Sequence, residues 1–256
     1  MLTTPPRLSI VIPLHNEAGN IAPLMAEIVQ HLRDDSHVGG AYEIILVDDG
    51  STDATPAEAR AEAQKHPHVR VLHLPQRQGM SPAIRAGVRA ACGTWIMTAD
   101  GDGQNDPADM PRLIHMALSL GDHHNILVCG LRLNRQDTAQ KRMASRVANT
   151  LRQAVLRDGC PDTGCALKMF RRDLYLSLPF FHGLHRFMPA LGRHYGATVL
   201  QTPVNDRART RGVSKSDIAG RAVRGLVDML GVAWLMARTP APQQAQEAGQ
   251  INKPTE

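Results

Sequence analysis

The side chains best suited to chemistry lie in one stretch, Thr98-Ala99-Asp100-Gly101-Asp102-Gly103-Gln104-Asn105-Asp106-Pro107. Two carboxylates flank a single glycine, and an amide oxygen follows two residues later. Oxygen ligands of this kind suit hard divalent ions, and two carboxylates leave coordination positions for the phosphates of a substrate. Asp100, Asp102 and Gln104 are therefore the metal candidates, for Mg²⁺ or Mn²⁺. A second acidic group, Asp48-Asp49-Gly50-Ser51-Thr52-Asp53, completes the pattern. Together they suit a nucleoside diphosphate: Asp49 can accept a hydrogen bond from a base N–H, and a metal at Asp100 and Asp102 can neutralise a departing diphosphate.

An isolated Asp-Gly-Asp is more often an acidic surface turn, so its position in the chain decides its meaning. The apolar run Thr94-Trp95-Ile96-Met97 precedes it and reads as a buried strand, while Pro107 favours a helix start, giving a helix over 107–120. The same pattern recurs along the chain. Strands are expected at 8–14, 44–47, 69–74, 94–97, 126–129, about 166–170 and 197–204. Helices are expected at 18–33, from about 53 to 66, from about 81 to 91, and at 172–177. Strands alternating with helices imply an α/β fold with a mainly parallel sheet, which binds ligands at the carboxyl ends of its strands. Both acidic groups fall at such ends. No Gly-x-Gly-x-x-Gly or Walker loop is present, which argues against ordinary dehydrogenases and P-loop ATPases.

The chain of 256 residues can bury a full core, and its formal charge of +5 admits anionic partners. Aromatic residues make up only 4% and are scattered, so no platform for stacking nucleic-acid bases is visible. The four cysteines, Cys92, Cys129, Cys160 and Cys165, lack zinc-site spacing and read as free thiols. No apolar leader precedes the first strand, which argues against export.

Basic residues cluster twice. Arg132, Arg135, Lys141, Arg142, Arg146, Arg152 and Arg157 face only Asp137, which describes either a solvated helix face or one turned to phosphates or lipid headgroups. Arg207, Arg209, Arg211 and Lys215 accompany Gly212 and Ser214 in a loop able to close over phosphates. Between them, Phe180-Phe181-His182-Gly183-Leu184-His185-Arg186-Phe187 reads as packing with a polar rim or as the start of an acceptor helix near His185 and Arg186. The last helix, 218–238, is too short and too charged to span: Ala222 to Ala237 extends about 24 Å against a hydrocarbon core of about 30 Å. It fits an amphipathic interfacial helix with Trp234 at headgroup depth, or one packed on the protein, on a second copy or on a membrane-protein partner. Residues 239–256 read as a disordered tail.

In order, these segments resemble the family 2 glycosyltransferases, in the branch of dolichyl-phosphate mannosyltransferases and bacterial polyprenyl-phosphate sugar transferases. Val11-Ile12-Pro13-Leu14-His15-Asn16-Glu17 is similar to the V-I-P-x-Y-N-E opening, with His15 in the tyrosine place. Val47 to Asp53 resembles V-D-D-G-S-x-D, and Asp100 to Gln104 resembles D-x-D-x-Q. Asp162-Thr163-Gly164-Cys165 stands where the family has a D-x-x-G-F-like segment, and Arg209 to Lys215 resembles its basic loop ending G-x-S-K. The resemblance runs from about Leu8 to Trp234.

It implies a GT-A fold, Rossmann-like, with helices on both faces of a mainly parallel sheet over residues 1–217. It implies inverting transfer of a sugar from a nucleotide-diphosphate sugar to a polyprenyl phosphate, by a protein held peripherally at the cytoplasmic face of an anionic membrane. Donor contacts would come from Pro13, His15, Glu17, Asp48, Asp49, Gly79 and Asp100, with Asp102, Arg209 and Lys215 serving catalysis. The carboxylate pair that many members carry before the acceptor helix is missing at 183–187. A phosphate acceptor explains that gap, because its second pKa near 6 leaves it largely ionised at neutral pH and in little need of a base. His185 is the remaining base candidate. Transfer to a glycan or small-molecule hydroxyl, nucleotidyl transfer and a non-enzymatic membrane scaffold are the alternatives.

Overall fold

Strands β1 (Leu8–Leu14) and β2 (Tyr42–Asp49) are buried at every position, the property of central strands covered on both faces. The computed structural model describes residues 6–38, 40–121, 125–133, 149–208 and 218–240. Around β1 and β2 lie α1 (Ile21–Leu32), α2 (Thr55–Lys65), β3 (Val69–Leu74), α3 (Met80–Ala90), β4 (Trp95–Thr98), α4 (Met110–Leu118) and β5 (Ile126–Arg132). Helical residues 149–156, here α5, precede β6 (Lys168–Arg171), α6 (Arg172–Ser177), α7 (Leu184–His194), β7 (Thr198–Val204) and α8 (Ile218–Arg238).

Among the described residues, seven strands form one sheet in the order β3-β2-β1-β4-β6-β5-β7. All neighbours run parallel except β6, which is antiparallel to both β4 and β5. Alternate residues of each strand enter separate cores on the two faces. Ile10, Ile12 and Leu14 meet α1 and α4 residues on one face, while Val11, Ile45 and Val47 meet α3 on the other. Gly87 permits that second contact, since a Cβ there would lie 2.3 Å from Val11 Cγ1.

Two local differences from the sequence reading have plain causes. Residues 107–109 form a single 3-10 turn, and the α-helix begins only at Met110. Pro111 has no N–H to return to Pro107, so the α pattern starts where a first-turn proline costs nothing. Helix α1 starts at Ile21 rather than near 18, because Glu17 to Asn20 form a turn closed by the Asn20 N–H donating to the Glu17 carbonyl at 3.1 Å.

In the basic stretch from 132 to 157 the described residues include Arg132, Arg152 and the exposed Arg157, and the first two depart from the sequence reading. These two form neither a solvated face nor a phosphate-facing one. Arg152 is buried, donating to Asp158 Oδ2 at 2.6 Å, to Thr163 Oγ1 at 2.9 Å and to the Cys160 carbonyl. Arg132 forks onto Asp162 through Nε and Nη2 at 2.8 and 2.9 Å. Residues 134–148 lie outside the described residues, as do 209–217 and the tail from 241.

Candidate active site

Four loops at the carboxyl ends of β1, β2, β3 and β4 pack against one another. Proline is tolerated at position 13 of a central strand because β4 pairs with β1 only from Leu8 to Val11. The Pro13 carbonyl then faces the acidic loop. A Cβ on Gly101 would lie 3.2 Å from that carbonyl, 2.4 Å from Leu14 Cδ2 and 3.7 Å from Glu17 Cγ. Glycine between the two aspartates is thus what allows their loop to sit on the end of β1.

The β1 and β2 ends are laced together. His15 Nδ1 lies 2.9 Å from the Asp49 carbonyl oxygen, and the Asn16 N–H donates to Ser51 Oγ at 3.0 Å. Asn16 sits at φ 56, a left-handed conformation that asparagine tolerates, and its Oδ1 accepts from the Thr52 N–H at 2.8 Å. The Glu17 N–H donates to Thr55 Oγ1 at 2.7 Å, while Glu17 Oε2 accepts from Asn20 Nδ2 at 2.9 Å. Asp53 accepts from the Thr55 and Ala18 N–H groups; burial alone would raise its pKa, but these hydrogen bonds outweigh it and hold the carboxyl below its ordinary value.

Asp48 and Asp49 part company. Adjacent strand residues point to opposite faces. Asp48 is fully buried, with Oδ1 accepting from the Ser51 N–H at 3.0 Å and Oδ2 lying 2.6 Å from His73 Nδ1, so it braces the turn. Asp49 reaches the β3 loop instead: Oδ1 accepts from the Gln78 N–H and Oδ2 from the Gly79 N–H, both at 2.7 Å. Gly79 is at φ 98, suiting glycine, and α3 starts directly after it.

In the acidic loop, Asp102 Oδ1 accepts from the Gln104 N–H at 3.0 Å, and the Asp100 N–H donates to Asn105 Oδ1 at 2.8 Å. The strand exit of β7 is tied to this loop. The Arg207 N–H donates to the Gln104 carbonyl at 2.9 Å, Gln104 Nε2 donates back to the Arg207 carbonyl at 3.4 Å, and Asn105 forms a β-bridge with Asp206. The Arg207 guanidinium grips Glu27 at 2.6 Å and Asp106 at 2.7 Å. Burial opposes ionisation of Asp106, but donors from Ala108 and Asn205 and the Arg207 charge prevail and lower its pKa. Arg132 closes the far side, bidentate on Asp162 and 3.7 Å from Asp206. Burial disfavours its charge, yet the Asp162 pairing raises its pKa overall.

His185 stands on the first turn of α7. Its Nδ1 lies 2.7 Å from Ser81 Oγ, which also accepts from the Gly183 N–H at 3.1 Å. Burial first, then the charges of Arg186 and Lys168, lower its pKa to about 3. The imidazole is therefore neutral at physiological pH and engaged on one nitrogen. Lys168 itself is buried and donates to the Thr163 carbonyl at 3.2 Å and to the Cys165 carbonyl. All four cysteines are free thiols.

The structure thus brings Pro13, His15, Glu17, Asp48, Asp49, Gly79, Asp100, Asp102 and Gln104 to one edge of the sheet. Arg209 and Lys215 lie outside the described residues. Sequence reasoning placed Arg132 and Arg207 among basic residues for phosphates or headgroups and missed their carboxylate partners, which are distant in the chain; it gave Asp106 and Ser81 no role, although the Asp106-Pro107 helix-start pattern marked the first of them.

Residues 9–178 match the family model described as Glycosyl transferase family 2. The chain belongs to that family. It is 34% identical over 239 residues to a dodecaprenyl-phosphate galacturonate synthase of Rhizobium johnstonii, covering 92% of this chain and 69% of that protein. It is also 34% identical over 218 residues to an undecaprenyl-phosphate 4-deoxy-4-formamido-L-arabinose transferase of Sodalis glossinidius, covering 84% of this chain and 65% of that one. The match spans about two thirds of the length of each of these relatives. Among solved structures, glucosyl-3-phosphoglycerate synthase of Mycobacterium tuberculosis, in complex with Mn²⁺, UDP-glucose and phosphoglyceric acid, superposes with a TM-score of 0.68 at 22% identity, over 93% of this chain and 81% of that one. A mannosyltransferase of Pyrobaculum calidifontis, in complex with GDP-Man and Mn²⁺, gives 0.62 at 22% identity, over 94% and 67%. The glycosyltransferase has the GT-A fold.

Proposed function

We propose that this glycosyltransferase moves a sugar from a nucleoside-diphosphate sugar to the phosphate of a polyprenyl phosphate, with inversion at the anomeric carbon. The observation that carries the reading is the seating of the acidic loop: Gly101 lies on the β1 end and Gln104 is bonded to Arg207, so the acids and the entrance to the basic loop share one place. Among the described residues, no group of three or more His, Cys, Asp or Glu could hold a metal. Asp100, Asp102 and Gln104 offer two carboxylates and an amide oxygen, a donor set that would leave positions on a hard divalent ion for diphosphate oxygens. When bound, such an ion supplies charge neutralisation of the leaving diphosphate.

The protein's own residues do the rest. Asp49 orders the Gln78–Gly79 backbone beside the base and keeps acceptor capacity for a base N–H. Asp48 acts through the fold, and His15 and Glu17 line the donor side. Arg209 and Lys215 are proposed to hold the acceptor or donor phosphate by charge-assisted hydrogen bonds.

The acceptor reading rests on α8. Its inner face packs Met229 and Val232, Asp228 approaches Gly183 at the start of α7, and the Thr239 carbonyl meets His194 Nε2 at 2.7 Å at the other end. Helix α8 therefore runs alongside α7 in the same direction. Its first ten residues, about 15 Å of helix, precede the Asp228 contact with α7. Its outer face exposes Leu226, Val227, Leu230 and Trp234, with Arg238 over the indole at 5.9 Å. Among the described residues no helix is long and apolar enough to cross a membrane. An apolar face flanked by Arg224 and Arg238 suits the surface of an anionic bilayer, where each basic residue contributes about 1 kcal/mol. The relatives named for dodecaprenyl and undecaprenyl phosphate support the same acceptor class.

A second reading is transfer to a small-molecule or glycan hydroxyl, favoured by the fold shared with the synthase captured with phosphoglyceric acid. Leu230→Glu combined with Trp234→Glu separates the two, since both side chains are exposed. The membrane reading expects lost vesicle binding and a far larger defect on long-chain than on short, soluble prenyl phosphate. Equal defects, or none, would contradict it.

A further inference from the structure

Ser81 and His185 are 104 positions apart, yet they form the hydrogen bond that joins the first turns of α3 and α7. Ser81 is 2% exposed, so water has little part in its bonding. A serine hydroxyl has two lone pairs and one hydrogen. The Gly183 N–H at 3.1 Å and the His185 N–H at 3.5 Å point at the lone pairs of Ser81 Oγ. The hydroxyl hydrogen is then the group directed at His185 Nδ1, 2.7 Å away. A nitrogen that accepts cannot carry the ring proton, so the proton lies on Nε2. Among the described residues Nε2 has no hydrogen-bond partner.

The surroundings select what Nε2–H can meet. Two cationic groups, Arg186 and Lys168, act on the ring, and the Asp228 carboxylate lies nearby at Gly183. Two residues before Ser81, Gly79 is held by Asp49, so the pair stands about one helical turn from the donor-side loop. Gly183, in the left-handed region at φ +100, starts α7 under Asp228 of α8. His185 thus lies between the start of α3, next to the Gly79 loop, and the start of α7, which Asp228 of α8 approaches.

We propose that Ser81 is a positioning residue that locks His185 as its Nε2–H tautomer, and that Nε2–H donates a hydrogen bond to a phosphate oxygen of the acceptor. This rests on the phosphate-acceptor reading above. It assigns His185 to binding and orientation and removes it as a general base, because the outward nitrogen already carries a proton. The phosphate oxygen remains the nucleophile, and one of its other oxygens takes the hydrogen bond.

The test uses the whole chain. Nitrogen-15 spectra of the histidine rings read the tautomer directly, in the free protein and during titration with inorganic phosphate. The wild type should show a protonated Nε2 that shifts with phosphate, and Ser81→Ala should mix the tautomers. In turnover with a short prenyl phosphate, His185→Gln, which keeps an amide near the Nε2 position, should retain acceptor KM within a few-fold. His185→Asn, which keeps only the Nδ1 position, should raise it roughly tenfold or more, the scale of one hydrogen bond to a charged group. Donor affinity should stay within about twofold in both variants, which loss of the fold would not permit. A proton on Nδ1 in the wild type, or equal KM for the Gln and Asn variants, overturns this inference alone. A protein that turns over only hydroxyl acceptors while inorganic phosphate leaves the ring signals unmoved overturns both this use of His185 and the acceptor reading.

Discussion

Replacing Asp49 by asparagine changes one atom and separates two roles for this residue. Both carboxylate oxygens accept backbone N–H groups at 2.7 Å, from Gln78 and Gly79. Asparagine can keep one of these bonds through its oxygen but sets an NH2 against the other N–H. A hydrogen bond to a charged group is worth about 1.5–3 kcal/mol, and the second bond also loses its charge assistance. Gln78 is exposed, so the loop can swing out and let water satisfy the lost partner. The cost should therefore appear in loop order and donor affinity more than in global stability. Converted at about 1.4 kcal/mol per decade, it weakens nucleoside-diphosphate binding roughly tenfold to a hundredfold. Calorimetric titration of UDP, GDP and TDP measures that loss, and amide exchange at Gln78 and Gly79 reports whether the loop has opened. Intact affinity with unchanged exchange at both amides would refute the assignment of Asp49 to this loop.

Three further outcomes are expected. Asp102→Asn should abolish the Mn²⁺-dependent gain in nucleoside-diphosphate affinity while leaving metal-free affinity nearly unchanged, read by the same titration; an intact metal effect would remove Asp102 from the ion. Arg132→Ala should destabilise by about 3–5 kcal/mol, because it strands the buried Asp162 carboxylate, and adding Asp162→Ala should recover part of that in denaturant unfolding. His185 has a folded pKa of about 3 against an ordinary 6.5, so its contribution to stability is full above 6.5 and is lost as pH falls toward 3. Between about pH 6.5 and 5 the loss is at most about 2 kcal/mol. The lowered Asp53 and Asp106 carboxyls lose their contributions only below their ordinary value of 3.8, so they do not enter between pH 7 and 5. A melting-temperature gap between wild type and His185→Asn that stays constant from pH 7 to 5 would contradict this.

The sequence makes legible whatever depends on local pattern. The apolar runs of β1, β2 and β4 announce central strands, and the acids that follow the runs of β2 and β4 announce a ligand edge. Asp48 shows where that reading stops. Period-two alternation already forbids Asp48 and Asp49 from facing one ligand together, but composition alone does not say which of them is buried. The arginines from 132 to 157 were opaque for another reason. Nothing in a basic run says whether a side chain points outward, and the partners that draw Arg132 and Arg152 inward, Asp162 and Asp158, follow a gap of 30 and 6 positions. The Arg207–Glu27 pair spans 180 positions and the Ser81–His185 pair 104, beyond any window of periodicity. Such pairs exist only once the sheet has brought its strand ends together.

The central claim is transfer of a sugar onto a lipid phosphate, and product analysis tests it most directly. The whole chain is incubated with a panel of nucleotide sugars, Mn²⁺, and vesicles carrying polyprenyl phosphate, alongside phosphoglyceric acid and free glycans as hydroxyl acceptors, and products are identified by mass and by the configuration of the anomeric carbon. The account predicts a polyprenyl-phosphate sugar with inverted configuration, formed only with the metal present. A product formed solely on a hydroxyl acceptor, or a lipid product with retained configuration, would contradict it.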